Sequence, residues 1–118
     1  IILFWHTTTM DKDINLEFII QTIEKTLQDR KAEDVMILPI GHMTSIAEYM
    51  IIATGTSNRH LTALYEYIRQ ALKTVVKIAR PMNTDLTWIS IDLENVIVHL
   101  MTKESRDYYR LESLWKHN

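Results

Sequence analysis

Cysteine is absent from this 118-residue chain, so neither a disulfide framework nor a thiolate metal site is available to it. A reducing, cytoplasmic setting is compatible with that composition. Glycine and proline occur only twice each, too few for long irregular loops or low-complexity linkers. A basic excess is missing as well: 13 Lys and Arg stand against 15 Asp and Glu, a net charge of −2. Domains that grip a nucleic-acid backbone usually carry the opposite balance, so little direct nucleic-acid contact is expected. No apolar run approaches the roughly 18 residues of a membrane span. The apolar opening Ile1-Ile2-Leu3-Phe4-Trp5 lacks the basic flank and cleavage site of a signal peptide. What is there is an ordinary globular composition, 47% hydrophobic and 24% charged. A single domain of this length buries roughly two-thirds of the surface its unfolded chain exposes.

The chain begins with Ile, and Met10 sits just ahead of the first periodic segment. Residues 1–9 are therefore read as a non-native or disordered extension, and 10–118 as the domain. Leu16, Ile19, Ile20, Ile23 and Leu27 recur at the spacing of one buried helix face, which predicts a helix ending near Arg30–Glu33. Val35–Ile40 reads as a short strand, with Pro39 confining its end to an edge or bulge. Tyr49–Thr54 has no polar alternation and suits a central strand covered on both faces. Gly55 then turns the chain, and Thr56 or Ser57 caps a second helix with Leu61, Leu64, Tyr65, Ile68 and Leu72 on its apolar stripe. Val75–Arg80 reads as a third strand and Pro81–Asp85 as a turn. Two β-rich runs around Glu94-Asn95 predict an antiparallel hairpin, with Trp88, Ser90 and Asp92 on one face of its first arm. Thr102 caps a last helix carrying Tyr108, Leu111 and Trp115. The order implies an α/β single compact domain, a mixed β-sheet flanked by helices.

Chemistry is sparsely signalled. The five histidines form no close ligand pair, so no metal is expected. His99, inside a strand, reads as a polar position with a hydrogen-bond partner. No phosphate-loop, dinucleotide or nucleophile motif is present. One enzymatic arrangement stays open: Gly55-Thr56-Ser57 imitates the Gly-Ser turn of nucleotidyl-transfer folds, and Asp92 with Glu94 imitates their metal-binding carboxylates. A third carboxylate is not evident, and Glu94 falls at the turn, where strand alternation breaks down. Arg59 and His60 place positive charge at a helix start, where the macrodipole disfavours it; they answer an anionic contact or swing into solvent. Trp88 shares a polar strand face, as an interface anchor does, or packs under the last helix.

Three segments together carry a resemblance: Ser45–His60, Trp88–Met101 and Glu104–Trp115. Ala53, Thr54, Gly55, Ser57 and Arg59 fit the first block. Trp88, Asp92, Val96, Val98 and His99 fit the second; Ser105, Arg106, Tyr109, Leu111, Glu112, Leu114 and Trp115 fit the third. In this order they resemble the bacterial ribosomal silencing factors, the Iojap-like family. Family members usually carry an acidic residue at the position of Pro39, Asp at that of Glu48, and a Glu-Gly pair with a longer loop before the tryptophan. Their hairpin turn is typically Gly-Asp, where this chain has Glu94-Asn95.

The resemblance implies a nucleotidyltransferase-like fold without transferase activity and without a cofactor. It implies a cytoplasmic protein that binds the large ribosomal subunit through its protein fourteen and sterically blocks joining of the small subunit. Translation is thereby repressed when nutrients are scarce; a mitochondrial branch acts in ribosome assembly, and free members form homodimers. It assigns the contact surface to the hairpin: Trp88 as aromatic anchor, Asp92 and Glu94 facing basic partner groups, Leu93 and Asn95 as apolar and turn contacts. Arg59 and His60 are secondary contacts.

Overall fold

A computed structural model of the chain describes residues 2–78, 82–85 and 87–116, with side chains for 15–78 and 87–114. Helix α1 (Ile2–Asp29) leads into strands β1 (Glu33–Pro39) and β2 (Tyr49–Gly55), then helix α2 (Asn58–Leu72). Strands β3 (Met82–Asp85), β4 (Trp88–Asp92) and β5 (Val96–Thr102) follow, and helices α3 (Lys103–Tyr109) and α4 (Leu111–Lys116) close the chain. The strands form one five-stranded sheet in the order β1-β2-β5-β4-β3. Only β2 and β5 run parallel, and every other neighbour pair is antiparallel. The sheet is therefore mixed, as the order of elements implies.

α1 ends where the sequence places it. Lys31 takes a left-handed φ of 64°, the Ala32 amide donates to the Leu27 carbonyl at 2.8 Å, and the Lys31 amide to that of Gln28 at 3.1 Å. This is a Schellman stop, which satisfies carbonyls the helix leaves unpaired. Upstream, the helix runs back to Ile2, through the segment read as an extension. β1 is an edge strand, which accommodates Pro39. Its register shifts between Glu33 and Met36, where Asp34 adopts a φ of 48°.

The apolar core lies mostly between the sheet and the α1/α2 layer. Ile19, Ile23 and Leu27 of α1 and Leu61, Leu64, Ile68 and Leu72 of α2 meet Ile51, Ala53, Ile91, Val98 and Leu100 of the sheet. The opposite face carries a smaller cluster of Ile40, Ala47, Met50, Ile52 and Met101, with Trp88, Ile97 and Leu111 packed against it. β2 is thus covered on both sides, as its unbroken apolar run requires.

Three expectations need correction. The third strand is Met82–Asp85, not Val75–Arg80. The Val75 and Val76 amides both donate to the Leu72 carbonyl, so this β-branched pair is held in the exit turn of α2; residues 79–81 lie outside the described residues. The last helix is two helices, split at Arg110, whose φ of 51° is left-handed; the side chain of Trp115 lies outside the described residues. Gly55 does not turn the chain: it is still paired in β2, opposite Thr102. A Cβ there would meet Leu61 Cδ2 at 2.6 Å, so glycine is needed for the close approach of α2 to the strand.

Candidate functional site

The β4–β5 hairpin pairs Trp88 with Met101, Ser90 with His99 and Asp92 with Ile97. Alternation therefore sends Ile89 and Ile91 into the main core and Trp88, Ser90 and Asp92 to the other face. The turn is tight. The Leu93 amide donates to the Val96 carbonyl, the Asn95 amide to that of Leu93, both at 2.9 Å, and the Glu94 amide to Asp92 Oδ1 at 3.1 Å. An i→i+2 bond around a residue at φ 71° is the γ-turn arrangement. The positive φ falls on Glu94 rather than on the tolerant Asn95.

This geometry sorts the expected contact residues. Asp92, Glu94 and Asn95 are exposed at the hairpin tip. Leu93 is not: it is 1% exposed and belongs to the main core, so it anchors the turn from inside instead of offering an apolar surface. The left-handed Glu94 also breaks the alternation that would aim two carboxylates the same way, and one oxygen of Asp92 already accepts from the turn amide. Among the described residues no group of three or more metal-binding side chains converges.

Trp88 lies half-buried in an aromatic row. Its indole N–H donates to His99 Nδ1 at 3.0 Å, and its ring lies 4.9 Å from that of Tyr109, which meets Tyr108 edge-on at 4.9 Å. The indole N–H can only donate, so Nδ1 is the accepting nitrogen of a neutral imidazole. Burial pushes the His99 imidazole down from 6.5 to about 4. His99 is thus the partnered strand histidine that its position implies. The two readings of Trp88 are compatible: one part packs against the last helical segment, and the rest stays open beside Tyr109 and the 80% exposed Tyr108. Tyr108, placed by spacing on the stripe of the last helix, is instead exposed, and the aromatic pair it makes with Tyr109 is what spacing does not reveal.

At the β2–α2 junction Ser57 is the cap, its hydroxyl accepting from the His60 amide at 3.1 Å. His60 points inward. Its Nδ1 accepts from the Thr56 amide at 2.9 Å, which leaves Nε2–H to donate to the Arg30 carbonyl at 2.9 Å. It therefore ties the junction to the end of α1, and no anion is needed to explain it. Arg59 is exposed and has no side-chain hydrogen bond or ion pair among the described residues. The structure does not bring either residue together with the hairpin tip.

A second cluster was visible only as part of a motif. Arg106 is 7% exposed. Its Nη1 donates to the Asp34 carbonyl and to Thr54 Oγ1, the latter at 2.8 Å, and its Nε donates to Glu112 Oε1 at 3.2 Å. One guanidinium thus joins the β1 bulge, the end of β2 and α4.

Fold and site together define a class: a small α/β domain that presents a hairpin tip and an aromatic face beside it. The family model described as ribosomal silencing factor during starvation matches residues 13–118, and the chain belongs to that family. It is 36% identical over 102 residues to ribosomal silencing factor RsfS of Chromobacterium violaceum, covering 81% of this chain and 84% of that protein. A Mus musculus protein named mitochondrial assembly of ribosomal large subunit protein 1 is 30% identical over 109 residues, covering 86% of this chain and 47% of that protein. An X-ray structure of a Chromobacterium violaceum protein matches with a TM-score of 0.81 at 34% identity, covering 86% of this chain and 87% of that one.

Proposed function

We propose that this protein is a cytoplasmic translation repressor that binds the large ribosomal subunit through its protein fourteen and blocks joining of the small subunit. It acts by occlusion and performs no chemistry. The observation that carries the reading is Trp88, held by His99 on one side and Tyr109 on the other, so that its open part is rigid before any partner arrives. Asp92, Glu94 and Asn95 stand exposed at the tip of the same hairpin. Carboxylates there suit a basic ribosomal protein and act mainly on encounter rate and orientation. Arg59 remains available for a secondary contact, and the free protein pairs as a homodimer.

Co-sedimentation with purified large subunits tests the reading. Wild-type protein pellets with them, and Trp88→Ala weakens binding by more than about 1 kcal/mol, the size of a hot-spot truncation. Circular dichroism of the variant checks that the fold is kept, and wild-type protein that stays in the supernatant defeats the proposal. A second reading, a large-subunit assembly factor, is favoured by the name of the mouse relative. It uses the same docking surface, and its mark is association with precursor particles rather than with mature subunits.

A further inference from the structure

A groove runs between α1 and the hairpin tip, on the sheet face opposite Trp88. It consists of two adjoining wells of about 460 and 490 Å³ that share Leu16 as a wall. Leu16, Ile20 and Tyr49 form an apolar floor; each packs against the main core but stays partly open. The rim is acidic. Glu17 and Glu94 line it, while the carboxylate of Glu48 turns away to lie against Gly41, and no Lys or Arg lines it among the described residues. Neither ion pair of the described residues involves Glu17 or Glu94. The rim is also fixed, because the Glu48 and Tyr49 amides both donate to the Asn95 carbonyl, at 2.9 and 3.1 Å.

We infer that this groove binds a basic amphipathic helix of a protein partner. The wells lie along α1 between Asn15 and Gln21, a rise of about 9 Å. A span of that length takes two apolar side chains one to two helical turns apart, and wells of this size admit side chains as large as Leu or Met. Lys or Arg on the flanks of such a helix meets Glu17 and Glu94. Nucleic acid is disfavoured, because its phosphates would face the same rim. A second copy docking through this face would bring the same carboxylates against their own kind. The groove shares Glu94 and Asn95 with the proposed ribosomal contact, but its floor is the α1 face and not the Trp88 face, so loss at Trp88 separates the two.

The test uses the full chain, isotopically labelled, and an acetylated peptide of about 15 residues with Leu on one helical face and Lys on the other. Binding shifts the amides of residues 15–21, 48–49 and 93–95 and weakens as salt is raised. Combining Glu17→Lys and Glu94→Lys lowers affinity by about tenfold or more, while Trp88→Ala leaves it unchanged. Glu17→Lys alone, a single exposed helix position, gives a smaller loss in the same direction and serves if the double variant folds poorly. The inference is overturned if the shifts map elsewhere, if the charge reversals change nothing, or if a Leu/Glu peptide binds equally well. It is also overturned if the groove amides shift with protein concentration alone, which would mean that a second copy fills the site.

Discussion

Glu94 holds a left-handed backbone at the tip of the hairpin, with φ at 71°. For a side chain with a Cβ that conformation costs roughly 1–2 kcal/mol. Glu94→Gly should therefore raise stability by about 0.5–1 kcal/mol, the steric relief less the extra chain entropy glycine loses on folding. Urea unfolding of the two proteins checks this, and an unchanged or lower midpoint would mean that the turn carries no strain. Strain at a single tip residue points to use of its side chain, and here the side chain is a carboxylate on both the proposed hairpin contact and the groove rim. Leu93 shows the opposite arrangement. Its neighbours face solvent while it is 1% exposed, so its part in any contact is to hold the tip in place.

Among the elements, α3 and α4 are too short to stand alone, and Arg106 is what fastens them. Arg106→Met would leave the Asp34 carbonyl, Thr54 Oγ1 and Glu112 without the donor they share. Breaking a buried pair from one side costs about 3–5 kcal/mol. The expected loss is of that size in denaturant unfolding, and Arg106→Met combined with Glu112→Leu should cost less than the two single changes added. Additive losses would show that the pair is not coupled. The clamp reaches across 72 residues of sequence to Asp34, so no local pattern announces it. The long helices were legible because a buried face repeats every three or four residues, as Ile19, Ile23 and Leu27 do in α1. β3 was not. Val75 and Val76 look like strand residues but are captured by the α2 exit turn, whereas Met82–Asp85, with Asn83 and Asp85, becomes a strand because it pairs with the outer edge of β4. The split at Arg110 was also hidden, since the left-handed residue there is not the glycine that usually marks a helix end.

At the scale of the whole molecule, hairpin, aromatic face and second core meet at His99. It sits on β5, the strand flanked by both β2 and β4, and it must stay neutral to accept the Trp88 indole N–H. Sequence revealed that a histidine in this strand needs a partner, but the partner, eleven residues away across the hairpin, depends on register. The folded imidazole titrates at about 4 against 6.5 when unfolded. Below pH 6.5 the unfolded chain therefore takes up a proton that the folded chain refuses, and stability falls with pH until the folded value is reached. His99 contributes almost no pH dependence above about 7.5, a loss of about 2 kcal/mol at pH 5, and about 3 kcal/mol below pH 4. Carboxylates add their own slopes in the acid range, so the comparison that isolates His99 is with His99→Asn, whose amide oxygen can take the place of Nδ1 as acceptor but carries no titrating proton. Urea unfolding from pH 7.5 to 4.5 should show the wild type losing stability relative to the variant as pH falls. Parallel curves would mean that the Trp88–His99 bond does not hold the imidazole neutral.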